Sequence, residues 1–210
     1  MKCSLPATVS YKKTGGLLVL LMTMLLSACG ANHAAESRPS NGSPEQAANL
    51  PDSIVIPIEK RAHVPPFQLE GLSDDGIDSQ QVNKPMFINF WATWCHYCRE
   101  EMPGFNEIVK DYEDKIAVAA INLTHLDNRD TVQSYIDENQ YTFPVYLDEE
   151  GEVTQDFRVL STPTVIMLDH QGRIAYKKIG AGGEEGEKLL RLALDELIEE
   201  QSHHQEGNLE

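Results

Sequence analysis

Two cysteines stand two residues apart in Trp94-Cys95-His96-Tyr97-Cys98, straight after the apolar run 86–92. That spacing serves three chemistries: a metal clip, a covalent staple, or a dithiol that cycles with its disulfide. A structural zinc site takes four ligands, commonly from two such clips. This chain has one, and His63, His125 and His170 lack partner spacing. As a staple the pair gains little, because closing so short a loop removes almost no entropy from the unfolded chain. A redox pair fits every feature. An apolar strand that turns into a helix puts Cys95 at the helix N-terminus, where unpaired N–H groups and the macrodipole stabilise a thiolate. Cys95 is then the nucleophile, and Cys98, one turn further in, is the more buried resolving partner.

The elements that hold the pair follow from hydrophobic patterning. Residues 86–92, MFINFWA, are short and continuously apolar, as suits a buried central strand. A helix is expected over 95–114, kinked at Pro103. Residues 116–123 form a second buried strand, and 130–139 a helix with Val132, Tyr135 and Ile136 on one face. Then come a strand at 143–147, a short helix at 153–158, and strands at 164–168 and 174–179 joined by a hairpin turn at 170–173. A last helix at 184–200 carries Leu189, Leu190, Ala193, Leu194, Leu197 and Ile198 on one face. Phe67-Gln68-Leu69 reads as a short edge strand before a turn-rich stretch. The early alternation predicts parallel pairing and the last hairpin antiparallel pairing. The expected class is α/β, a mixed sheet with helices on both faces.

The chain has 210 residues and is 41% hydrophobic, enough for one domain with its own core and appendages. Its formal net charge is −16, which repels nucleic acid and anionic lipid surfaces, so nucleic-acid binding is excluded. The first 28 residues hold Lys2, Lys12 and Lys13, no acid, and the apolar run 17–26. That run is shorter than the roughly 20 residues of a membrane span and reads as an export signal peptide over 1–28, with a short transmembrane anchor as the alternative. Leu26-Ser27-Ala28-Cys29 resembles the bacterial lipobox. The resemblance implies cleavage before Cys29, lipid on its thiol, and attachment to the membrane; two acyl chains hold where one is marginal. Residues 29–60 then form the lipidated cysteine and a flexible tether, 61–200 the folded domain, and 201–210 a disordered polar tail. With Cys3 removed and Cys29 lipidated, two free cysteines in an exported chain do not make a disulfide scaffold. The sequon Asn122-Leu123-Thr124 ends a buried strand and is read as chance.

Phe90-Trp91-Ala92-Thr93-Trp94-Cys95 followed by Cys98 resembles the thioredoxin superfamily, and 95–103, CHYCREEMP, resembles its ResA/TlpA branch. Ser161-Thr162-Pro163-Thr164 is similar to that superfamily's cis-proline loop, and 123–143 lies where the branch carries an added β-α insertion. The resemblance implies a thioredoxin-like fold and a Cys95–Cys98 disulfide in the oxidised state. It implies that Glu101 belongs to the active site, where a partly desolvated carboxylate exchanges protons with the cysteines. Glu100 beside it reads as a solvated helix residue. Trp94 then shields the disulfide and faces the substrate, and cis Pro163 leaves the Thr162 backbone free to pair with a substrate strand. Asn89 stands where thioredoxins carry a buried proton-carrying Asp, and an amide closes that route. His96 either favours the Cys95 thiolate when protonated or points into solvent.

Together with the lipobox, the resemblance implies an extracytoplasmic, lipid-anchored thiol–disulfide oxidoreductase working in the reducing direction, with no cofactor or metal expected. Its partners would be client proteins with disulfides, such as apocytochrome c, and a membrane thiol electron donor. Two other readings remain. A peroxiredoxin-like peroxidase needs a threonine where this chain has Ala92. A copper-binding assembly protein on the same scaffold spaces its cysteines by three.

Overall fold

Every residue of strand β3 (Met86–Trp91) is buried, which is why its sequence shows no alternation. In the computed structural model, which describes residues 53–73 and 76–207, this strand lies inside a seven-stranded mixed sheet. Met86, Ile88 and Phe90 face one half of the core, with Phe67 and Phe157. Phe87 and Trp91 face the other half, with Met102, Phe105 and Leu194.

Strand β4 (Ala117–Asn122) pairs with β3 in parallel, from Met86 opposite Ala117 to Trp91 opposite Asn122. Strand β5 (Val145–Leu147) pairs with β4 in parallel. On the other side, β6 (Thr164–Leu168) runs antiparallel to β3 and β7 (Ile174–Ile179) antiparallel to β6. Strands β1 (Gln68–Gly71) and β2 (Ile77–Asp78) complete the order β2-β1-β5-β4-β3-β6-β7. Helices α1 (His96–Tyr112), α2 (Arg129–Asn139) and α4 (Gly183–Gly207) bury apolar residues in the Trp91 half of the core. The short α3 (Glu152–Asp156) buries Val153 in the other half. The insertion is a 3-10 turn at Thr124–Leu126 followed by α2.

Several boundaries differ from the sequence reading. The first strand is not an edge, because the two-residue β2 pairs outside it through Leu69 and Ile77. Strand β5 starts late because Pro144 has no N–H for the ladder, although its carbonyl accepts from Ala120. Helix α1 runs through Pro103 without interruption, losing only the bond to the Arg99 carbonyl. Helix α4 continues through residues read as a polar tail. There the Gln201 side chain donates to Asn83 O at 3.1 Å, and the His204 ring lies 5.3 Å from that of His170.

The segment 53–60, assigned to a flexible tether, packs against the domain instead. Val55 is buried in the core, Ile56 N–H donates to Ala175 O at 2.7 Å, and Ser53 Oγ donates to the Glu196 carboxylate. Further along, Ile174 N–H donates to Ala62 O at 2.8 Å. The signal segment, Cys3 and Cys29 lie outside the described residues. No helix among the described residues is long and apolar enough to cross a membrane.

Arg61 fastens this segment. Its buried guanidinium reaches Asp169 at 3.1 Å and Glu200 at 2.8 Å, and its Nε donates to Ile56 O at 2.7 Å. Burial acts to raise the Asp169 pKa, but bonds from Arg173 and Arg61 outweigh it and leave the carboxyl below its ordinary value. A carboxyl lowered on folding stabilises above its unfolded pKa, and that stability is lost as pH falls through the lower folded value. Arg61→Ala leaves the buried Asp169 carboxylate with Arg173 as its remaining cationic partner and takes the partner from Glu200. It is expected to lower the unfolding free energy by about 3 kcal/mol in urea melts. It is also expected to flatten the fall in stability below about pH 4.

Candidate active site

The central strand delivers the cysteines. After Trp91 the chain turns through Ala92, Thr93 and Trp94 and enters α1, with Cys95 as its N-cap. Cys95 Sγ accepts from the Cys98 backbone N–H at 3.2 Å, so a sulfur sits where a capping oxygen otherwise would. Cys95 and Cys98 form a disulfide with Cα atoms 5.2 Å apart. Both are buried, at 6% and 1% exposure, with Cys98 the deeper as the sequence reading has it.

The turn ahead of Cys95 is held from the insertion. Asp127 accepts from Thr93 N–H and from Thr93 Oγ1, both at 2.6 Å. The Trp94 indole N–H donates to Leu126 O at 2.9 Å, which leaves the exposed ring lying beside the redox pair. Burial acts to raise the Asp127 pKa, but the bonds from Thr93, Asn122 and Asn128 outweigh it, and the carboxyl sits below its ordinary value.

The Thr162–Pro163 peptide is cis, as the resemblance implies. Register brings it to the disulfide's end of the sheet: Thr164 lies opposite Phe90, and Gly180 N–H donates to Pro163 O at 2.8 Å. Pro163 is buried and Thr162 half-buried. Apart from Ile58 on the 53–60 segment, the exposed large apolar side chains among the described residues fall on segments at this same end. Trp94 and Tyr97 flank the cysteines, Leu126 backs Trp94, Leu160 precedes the cis peptide, and Ile179 lies opposite Thr164. Leu160 is 92% exposed.

Glu101 is half-buried on α1, but its carboxylate turns away from the sulfurs. Oε1 accepts from Lys178 Nζ at 2.9 Å and from Gly182 N–H at 2.6 Å. Among the described residues no hydrogen bond joins Glu101 to either cysteine. Gly182 is needed for this approach, because a Cβ there would lie 2.6 Å from the Lys178 side chain and from Gly186 Cα. Sequence reasoning missed both partners. They lie 77 and 81 residues along the chain, and the glycine-rich 180–183 was their only local sign.

Asn89 is buried beneath α1, and its Oδ1 has no protein partner. It lines a cavity of about 260 Å³ with Glu101, Phe105, Ile108, Val165 and Leu190. That volume and its polar wall admit water. His96 points outward, where its Nε2 lies 3.3 Å from Glu100 Oε1, so the geometry favours the solvent-facing alternative. Asn122 of the sequon is fully buried with its side chain engaged, and no glycan fits there.

Comparison with known proteins agrees with this geometry. Residues 61–177 match the AhpC/TSA family. The chain is 36% identical over 127 residues to the thioredoxin-like protein YneN of Bacillus subtilis, covering 60% of this chain and 74% of that one. It is 33% identical over 119 residues to the thiol-disulfide oxidoreductase ResA of Bacillus thuringiensis, covering 56% and 68%. The crystal structure of StoA from Bacillus subtilis superposes with a TM-score of 0.55 at 25% identity, over 61% of this chain and 98% of that one. With a disulfide at the head of α1, a family match over 61–177 and relatives named as thiol–disulfide oxidoreductases, the chain belongs to the AhpC/TSA family, as a ResA-like thiol–disulfide oxidoreductase of the thioredoxin superfamily.

Proposed function

We propose that the protein reduces disulfides of client proteins outside the cytoplasm, held at the membrane by lipid on Cys29. The observation that carries the reading is Cys95 Sγ at the N-terminus of α1, inside a rim of exposed apolar side chains. In the dithiol state, Cys95 attacks as thiolate, forms a mixed disulfide and releases the client's other sulfur as a thiol. Cys98 then loses its proton and attacks Cys95 Sγ, which releases the second client thiol and leaves Cys95–Cys98 oxidised. Two electrons and two protons pass to the client, and a membrane thiol donor restores the dithiol.

The rim favours an extended client segment with apolar residues beside its cysteines, because a folded disulfide offers few such side chains. Thr162 is free to pair with that segment's backbone. An apocytochrome c segment, with both cysteines in one short stretch, has this form. Trp94 supplies a flat face against the client disulfide. Glu101 serves the proton exchange, in reach of the cavity beneath α1.

The expected outcomes are specific. Cys98→Ala accumulates mixed disulfides that can be captured and identified by mass spectrometry, whereas Cys95→Ala captures nothing and reduces no insulin disulfide. Equal capture by both variants contradicts the assignment. Glu101→Gln keeps an acceptor for Gly182 N–H and removes the charge, so turnover should slow by about 10²-fold and the pH profile of Cys95 alkylation should move. Glu100→Gln, on the exposed face, should do neither, and parental kinetics in Glu101→Gln would move the proton path elsewhere. The mature protein should begin at an acylated Cys29, and Cys29→Ser should leave it unlipidated; an intact, unmodified N-terminus by mass spectrometry contradicts the anchor.

A further inference from the structure

The three residues ahead of Cys95 carry no reacting atom, yet a separate loop holds them with unusual completeness. Besides its two bonds to Thr93, the Asp127 carboxylate accepts from Asn122 Nδ2 at 3.0 Å and from Asn128 N–H at 2.9 Å. Leu123 N–H donates to Trp91 O at 3.0 Å, and Trp94 donates to Leu126 O. Asn128 in turn caps α2, its Oδ1 accepting from Thr131 N–H at 3.1 Å. Four donors therefore converge on the two oxygens of Asp127. An ionised carboxylate only accepts, so it satisfies all four. An amide in the same place turns a donor toward Thr93 N–H and Asn122 Nδ2, or toward Asn128 N–H.

We propose that Asp127 is a positioning residue of the redox site, which fixes the 92–94 turn and so the place of Cys95, and that this support matters most in the dithiol state. The inference rests on the redox reading given above. In the oxidised protein the Cys95–Cys98 bond itself ties residue 95 to the first turn of α1. Reduction breaks that bond, adding two electrons and two protons. Cys95 then keeps its N–H bond to Ala92 O and the bonds that its carbonyl and Sγ accept from Arg99 N–H and Cys98 N–H, each at 3.2 Å and each within the same stretch of chain, while the clamped turn before it supplies the tie to a separate loop. Loosening the clamp destabilises the dithiol more than the disulfide, and the protein becomes the stronger reductant.

The test is redox titration with glutathione, in which two glutathione thiols reduce the protein disulfide and become glutathione disulfide. Asp127→Asn is expected to shift the equilibrium about tenfold toward the protein disulfide, ~30 mV more reducing for a two-electron couple. Thr93→Val, which removes one donor and leaves the carboxylate charged, should move the same way by less. Thr93→Ser keeps the hydroxyl and should titrate like the parent. If Asp127→Asn does not fold, the Thr93 pair carries the comparison. Parental potentials in both Asp127→Asn and Thr93→Val would overturn the inference, as would a shift of Asp127→Asn toward a weaker reductant, since charge alone would then explain it. A parent that fails to exchange with glutathione would instead overturn the redox reading itself, and the clamp with it.

Discussion

The first turn of any helix has N–H groups that the helix cannot satisfy. Here a sulfur takes one of them, and the remaining architecture serves that placement. Cys95 caps α1 because β3 ends directly beneath it, and β3 stays in register because it is buried on both faces. Displacing the strand by one residue would exchange Phe87 and Trp91 for Ile88 and Phe90 across the sheet and empty both halves of the core. The reactive group thus inherits its position from the least adjustable element in the molecule.

Around that fixed point, polar groups are placed by long connections. The half-buried carboxylate of α1 nearest the pair is shared between a strand-borne ammonium and a glycine-loop amide, so α1, β7 and the entry to α4 meet at Glu101. The turn before the cysteines is shared with the insertion. Each link joins the first turns of α1 or the turn before it to a segment distant in sequence, so the reactive end is braced from several parts of the chain.

Local patterning made the cysteines, β3, β4, β6, β7 and the body of α4 legible, because each is a short-range signal of period or spacing. The cis bond at Pro163 was legible only through resemblance to a known loop. Lys178, Gly182 and Asp127 were not legible as partners of the redox turn. An Asp-Asn pair ahead of a helix reads as a cap, and Asn128 does cap α2, but nothing local says that Asp127 reaches Thr93 34 residues earlier. The same limit applies to 53–60, whose polar flanks conceal a buried Val55 that only the assembled core explains.

The attachment of 53–62 has a mechanical consequence. That segment bonds to the start of β7, while the redox end of the molecule lies near Ile179 at the strand's other end, about 16 Å away. A pull on the chain ahead of Ser53 loads the Glu196 and Ala175 contacts and then the Arg61 pair, all remote from the sulfurs. Those bonds would act as a strain relief, because tension in the leading segment enters the domain at the start of β7 and at α4 and not through the turn that holds Cys95.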